Sequence, residues 1–370
     1  MRARVLMTAD AAGGMWTYAT ELVRALSPRG VGFTVACMGP EPTAAQRAEM
    51  LDAGCAGLEY GGFRLEWMQD AWADVDRAAD WLLSLAMECG ADLVHLNGYC
   101  HAHLPFGRPV IVTGHSCVLS WWEAVCGSGA PCQWDEYRRR VQRGLLAADA
   151  VVAPTRWMLS ELGRHYGEPE YGLTIPGGRT GPRLAVRPKE PLIFAAGRVW
   201  DEAGNIGLLA GVSERLRWPC IVAGEEGGNA DAAGALIVAG RLESRAMWYH
   251  LGRASIFVHP ARYEPFGLAP LEAALSGCAL VLGDIPSLRE VWGDAAVYVD
   301  PDDAPGLLAA ANGLIEDDSR RAALAQAARE AARLYAPERC ASAYASLYGE
   351  LAHARTIRAG PLADLRAGAA

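Results

Sequence analysis

The chain has almost no lysine. Lys189 stands alone among 34 basic residues, so its cationic chemistry rests on arginine. A phosphorylase-type site built on a cofactor lysine therefore has a single candidate. There is no run of 18 apolar residues, which excludes a membrane-spanning helix as the sequence reads. The N-terminal stretch MRARVLMTAD is too short in its apolar part for a secretory signal and reads as a first strand. A soluble, cytoplasmic protein is the default expectation, with peripheral membrane contact left open. The ten cysteines contain no CxxC pair, and Cys37, Cys220 and Cys278 fall inside apolar runs. Buried free thiols in a reducing compartment fit that pattern better than a disulfide framework. A formal net charge of −9 carries no electrostatic footprint for nucleic acid. Neither GxGxxG nor a GK[ST] P-loop occurs, which argues against a nicotinamide dehydrogenase and a P-loop NTPase. The HAH at 101–103 lacks a third ligand at a diagnostic spacing, so no metal site is expected.

What is present is a repeating pattern. Short apolar runs alternate with helix-period segments along 370 residues. Runs at 5–9, 33–38, 92–96, 110–114, 149–153 and 173–175 precede a stretch rich in proline and glycine at 175–191. Six more follow, at 192–196, 220–224, 236–240, 255–258, 279–283 and 296–299. Their apolar residues are continuous rather than alternating, as in strands buried on both faces of a parallel sheet. Two doubly wound α/β domains facing across a cleft are expected. The first spans 1–178 and the second 190–337. A helix at about 338–352 returns to the first domain, and 353–370 reads as a flexible tail.

Several strand ends carry chemistry. In YEPFGLAPLEAALSGC, Glu264 follows a strand and Glu272 lies in the first turns of a helix. Pro270 suits that helix's start and Gly277 its stop. The amides of Phe266, Gly267 and Leu268 are expected as free donors near the helix N-terminus. A carboxylate beside a row of amides suits a hydroxyl-rich ligand. The spacing alone leaves a plain surface reading open, with Glu264 solvated and Glu272 answering the helix dipole. Gly13 and Gly14 lie between the first strand and a helix, a phosphate-loop layout or a tight turn. Arg198 follows a strand and a glycine; it suits phosphate oxygens, or a surface pair with Asp201 or Glu202. His115 follows another strand end, where it would donate to a sugar, move a proton or serve structure. Adjacent Trp121 and Trp122 point to different sides of a helix. The four arginines of YRRRVQR (137–143) read as a solvated helix face.

Taken in this order, the motifs resemble glycosyltransferase family 4 on the GT-B fold. The resemblance runs over roughly residues 3–350 and rests on the glycine pair, the His115 strand end, AAGRVWDE, VAGE at 222–225 and the E-x7-E run from Glu264 to Glu272. It implies a retaining, metal-independent hexosyltransferase that uses a nucleotide-diphosphate sugar and needs no other cofactor. Its acceptor would be a carbohydrate, a lipid-linked group or a small molecule. By that resemblance Glu264 contacts the donor sugar with the amides of Phe266, Gly267 and Leu268 beside it. Glu272 holds the ribose, and Arg198 binds the diphosphate with Gly13 and Gly14. His115 lies near the reacting carbon, and backbone near Arg241 and Leu242 meets the base. Trp16, Tyr99 and Trp121 are acceptor-side candidates. Two departures stand out, and one is that the family often has PNG where this chain has Pro176, Gly177 and Gly178. The other is the family's usual lysine in WDExKN, which is Gly204 here. Arg262, Arg179 or Arg289 would then replace that cation, or the donor depends less on it, or the protein is a weakened sugar-nucleotide binder.

Overall fold

A computed structural model describes residues 3–181, 188–224 and 234–358, with side chains to residue 353. Glu225 of the VAGE stretch, residues 182–187 of the proline-rich segment and residues 359–370 of the expected tail lie outside the described residues. The first half contains β1 (Ala3–Asp10), α1 (Gly14–Leu26), β2 (Val31–Met38), α2 (Ala44–Asp52), β3 (Gly57–Tyr60) and α3 (Trp72–Glu88). It continues through β4 (Leu93–Leu96), β5 (Val110–Thr113), α4 (Val118–Cys126), α5 (Asp135–Ala147), β6 (Ala150–Ala153), α6 (Arg156–Tyr166) and β7 (Gly172–Thr174). Its seven strands are all parallel, in the order β3-β2-β1-β4-β5-β6-β7.

The second half opens with β8 (Glu190–Ala196), α7 (Ile206–Val212), β9 (Cys220–Ala223), β10 (Ile237–Val238) and α8 (Ser244–Arg253). Then come β11 (Ala254–His259), α9 (Leu268–Leu275), β12 (Ala279–Gly283), α10 (Pro286–Trp292) and β13 (Val297–Val299). Three helices close the chain: α11 (Ala304–Glu316), α12 (Asp318–Ala332) and α13 (Pro337–Arg358). Its six strands are again parallel, in the order β10-β9-β8-β11-β12-β13.

Both sheets reverse winding direction beside their first strand, at β1/β4 and at β8/β11. The crevice beyond the carboxyl ends at such a reversal is where open α/β sheets bind ligands. The strand cores explain why: β4, β5, β6, β11 and β12 are wholly buried, as apolar runs between two helix layers must be. One strand escapes the sequence pattern. β3 reads GLEY, with two exposed residues and no apolar run, because it is the outer edge of its sheet. The helix at 338–352 is α13, and it runs helically through Arg358, beyond the expected tail boundary at 353.

α13 packs on the first half, against α1. Tyr344 and Tyr348 are essentially buried there. Their hydroxyls enter a polar chain: Tyr18 to Tyr344 at 2.6 Å, Tyr344 to Thr113 at 2.9 Å, and His95 between Thr113 and Tyr348, each at 2.7 Å. Every member finds a partner, the condition under which buried polar groups stabilise rather than cost.

Candidate functional site

Glu264 sits in the turn between β11 and α9. Its carboxylate folds back on the chain, and Oε1 accepts the Gly267 amide at 2.9 Å and the Phe266 amide at 3.3 Å. These two amides are thus not free donors, as the sequence suggests. A carboxylate two or three residues upstream reaches them more cheaply than water does. Gly267 makes the turn possible. It caps α9 with φ +91°, a left-handed conformation that a side chain would strain. Oε2 of Glu264 lies 3.4 Å from His259 Nε2 without an aligned hydrogen bond. Ser287 fixes the Glu264 carbonyl at 2.6 Å.

Glu272 is one turn into α9 and nearly buried. Its Oε1 accepts Arg179 Nε at 2.6 Å, while Arg179 Nη1 donates to Glu21 of α1 at 2.8 Å. The Arg179 and Glu21 side chains are 7% and 4% exposed, so they lie buried between the two halves of the chain, with Glu272 the more open end of the triad. Burial pushes the Glu272 carboxyl up, and the Arg179 charge and hydrogen bond oppose that shift. Glu21 also accepts Thr180 Oγ1 at 2.6 Å and Arg24 at 3.0 Å.

The two halves meet beside Glu264. Cys117 N donates to the Tyr263 hydroxyl at 3.0 Å, and Ser120 Oγ lies 2.9 Å from it. Thr155 Oγ1 donates to the Pro265 carbonyl at 3.0 Å. Glu290 of α10 caps α6, accepting the Arg156 and Trp157 amides at 2.8 and 3.0 Å. A Cβ on Gly14 would stand 3.1 Å from Leu268, so the glycine pair faces the start of α9. The Gly13–Gly14 turn, the His115 loop and the Glu264 loop follow three strand ends; the first meets the start of α9 through Leu268, and the second meets the third through Cys117 and Tyr263.

The remaining expected residues divide. Arg198 is exposed, 3.3 Å from Asp201 Oδ2 and stacked over Trp200. Such an exposed pair is worth about 0–1 kcal/mol. Arg241 and Leu242 follow β10 beyond its carboxyl end, Arg241 exposed and Leu242 partly buried. His115 touches Asn97 at 2.9 Å and Tyr18 edge-on at 4.5 Å. Burial lowers its pKa to about 4. Trp16 and Tyr99 do not fit an acceptor role. Trp16 is 2% exposed inside the core under α1. Tyr99 is 4% exposed and spends its hydroxyl on the Ser116 carbonyl at 2.6 Å. Trp121 is half-buried, on the face of α4 that carries Ala124 and Val125. Those two line a cavity of about 630 Å³ with Glu202, Arg262, Asp284 and Asp302 from the other half.

Gly204 leaves open space; a Cβ there meets only the Asp201 carbonyl, at 4.0 Å. The three cations considered as substitutes are each engaged. Arg262 holds Asn205 and Asp302, Arg289 holds Asp284, and Arg179 lies in the buried triad. Asp10, at the end of β1, is a residue the sequence pattern misses. Burial raises its pKa to about 6 despite the Ala12 amide at 2.8 Å. Glu123, Glu161 and His165 cluster on α4 and α6, but Arg164 already bridges both carboxylates. His101 and His103 bind backbone carbonyls. Arg139 and Arg140 of the YRRRVQR helix pair with Glu136 and Asp76. All ten cysteines are free thiols.

Comparison with known proteins gives the family and the fold. The Glycosyltransferase Family 4 profile matches residues 12–178, and the Glycosyl transferases group 1 profile matches residues 182–331. An alpha-maltose-1-phosphate synthase of Mycobacterium tuberculosis is 28% identical, over 86% of this chain and 90% of its own. A D-inositol 3-phosphate glycosyltransferase of Xylanimonas cellulosilytica is 27% identical over 94% of both. Among solved structures, the sucrose-phosphate synthase of Thermosynechococcus elongatus superposes with a TM-score of 0.77 at 18% identity, covering 95% of this chain and all of that one. The Anabaena protein HepE, solved with UDP and glucose, gives 0.73 at 16% identity over 95% of this chain and all of its own. With two parallel sheets whose ligand edges face each other, and with a matching profile on each half, the chain belongs to glycosyltransferase family 4, on the GT-B fold.

Proposed function

We propose that this chain is a retaining, metal-independent hexosyltransferase that draws on a nucleotide-diphosphate sugar. The observation that carries the reading is the Tyr263 contact with Cys117, which sets the Glu264 loop against the His115 loop across the cleft. A donor sugar in that gap meets the Glu264 carboxylate from one side and the imidazole from the other. Oε1 is already held by two amides, so Oε2 is the atom offered to sugar hydroxyls. Glu272 accepts the ribose hydroxyls through the oxygen that Arg179 leaves. Arg198 exchanges Asp201 for the diphosphate, and the Gly13–Gly14 turn lets the phosphates approach backbone amides.

In this reading the charge that grows on the leaving phosphate is met by arginine and amides, which is the chemistry such a step requires. The acceptor hydroxyl enters on the same face of the sugar as the departing phosphate, and a phosphate oxygen takes its proton. The anomeric bond to phosphate breaks as the bond to the acceptor forms, so configuration is retained. UDP-glucose, bound by HepE, is the first donor to try. The acceptor, a carbohydrate, a lipid-linked group or a small molecule, approaches from the first half past Trp121. The 1–178 and 190–337 division then separates acceptor side from donor side, with α13 tying them together.

A second reading is favoured by Gly204. With Arg262, Arg289 and Arg179 all engaged, no described arginine among these three stands free to replace the lysine. The chain would then bind sugar nucleotides and transfer slowly. One experiment separates the two. UDP-, GDP-, ADP- and TDP-sugars are screened by thermal shift and by nucleotide-diphosphate release, with Glu264→Ala beside wild type. Turnover lost in Glu264→Ala supports the transferase; a thermal shift without turnover supports the binder; no response to any donor overturns both.

A further inference from the structure

The hydrogen-bond partners of His115 decide which of its ring nitrogens carries the proton. Asn97, just beyond β4, donates its Nδ2 to the Thr8 carbonyl at 2.6 Å. A backbone carbonyl only accepts, so the amide NH2 must face it. The opposite orientation would set two acceptors against each other. Thr8 grips the residue a second time, its Oγ1 accepting the Asn97 amide at 2.8 Å. With Nδ2 committed, Asn97 presents Oδ1 to His115 Nε2 at 2.9 Å. Oδ1 has no proton to give, so Nε2 must be the donor. The neutral ring then carries its proton on Nε2 and a bare lone pair on Nδ1. Nδ1 has no partner among the described residues and is not a sealed atom.

We propose that Asn97, locked by the Thr8 carbonyl, is a positioning residue that holds His115 in the Nε2–H tautomer, so that His115 meets its ligand as an acceptor for a sugar hydroxyl. The identity of that ligand rests on the transferase reading; the tautomer does not. A donating His115, one of the roles its sequence position suggests, is thereby replaced by an accepting one. An acceptor at Nδ1 selects a hydroxyl and disfavours a phosphate or carboxylate oxygen at the same point. The titratable groups that face the ring leave this assignment undisturbed. Tyr18 from α1 and His95 from β4 are both buried and uncharged near neutral pH.

The test reads the tautomer directly. Full-length protein carrying 15N-histidine is studied by NMR, with the His115 signals identified by their loss in His115→Gln. The expected result is a protonated Nε2 and a bare Nδ1, unchanged between about pH 6 and 8. A ring protonated on Nδ1, or one averaging between tautomers, overturns the proposal. Asn97→Leu should release the ring into a mixture, and a pure Nε2–H ring in that variant overturns Asn97 as the lock. Asn97→Asp keeps shape and polarity. Its carboxylate should hold Nε2–H more tightly and bring the imidazolium into the neutral range. With UDP-glucose as probe, Asn97→Leu should lower kcat/KM roughly tenfold, the size of one lost hydrogen bond at the reacting sugar. An Nε2–H ring in a protein that turns over no sugar nucleotide upholds the lock and overturns the transferase reading instead.

Discussion

The Cys117 amide and the Tyr263 hydroxyl lie 3.0 Å apart, and through them the two halves of the chain set their ligand edges against each other. Cys117 is two residues past His115. Tyr263 is the residue before Glu264. The hydroxyl also reaches Ser120, and the ring stacks edge-on against Trp157, so the contact is sealed.

Tyr263→Phe removes that hydroxyl and leaves the Cys117 amide buried without a partner. A loss of about 1–3 kcal/mol in stability is expected from the stranded donor. The spacing of Glu264 to His115 should loosen with it, lowering kcat/KM roughly tenfold. Denaturant unfolding and steady-state kinetics check the two effects separately.

Arg179→Met leaves the buried Glu272 without its cation and takes one of three partners from Glu21, which keeps Thr180 and Arg24. Breaking a buried ion pair by removing one partner costs on the order of 3–5 kcal/mol. Adding Glu21→Gln should restore part of that loss, and a double-mutant cycle measures how much. An unchanged Tm in the single variant would show that water already reaches the triad.

Gly204→Lys has room for its side chain, since a Cβ there meets only a carbonyl at 4.0 Å. A new charge-assisted bond to a diphosphate is worth roughly 1.5–3 kcal/mol. Binding of UDP should tighten about tenfold or more, read by calorimetry. No change would mean that position 204 does not face the phosphates in this chain.

Asp10 provides a pH signature. Its pKa is about 6 in the folded protein against 3.8 for the free group. The folded state therefore holds the proton more tightly than the unfolded chain does. Its contribution to stability is full below pH 3.8 and is lost as pH rises through about 6, a change of about 3 kcal/mol. Asp10→Asn should erase that component. The difference between wild-type and variant unfolding free energies, followed from about pH 4 to 7, measures it.

The buried strands were legible because a strand covered on both faces must be continuously apolar, as VVAP and LVLG show. β3 was not, since an edge strand such as GLEY needs no apolar face. The order of glycine pair, His115, Arg198 and Glu264 was likewise legible, because each follows a strand end and the parallel topology puts such ends on the ligand edge of their own sheet. Side-chain roles were less so. Trp16 and Tyr99 look like cleft residues in the sequence and lie in the core, because which face of a helix or turn packs inward depends on neighbours distant in the chain.

The amino-acid sequence by itself determined the two parallel α/β halves and the strand-end positions of the chemistry, since local periodicity and turn residues suffice for both. Tertiary structure alone decided which groups pair. Asn97 with His115, Tyr263 with Cys117, and Arg179 with Glu21 and Glu272 are separated by 18, 146, 158 and 93 residues. Hydrogen bonds and ion pairs act over a few ångströms, so the state of a proton or a charge at the site is set by contacts that no local pattern encodes.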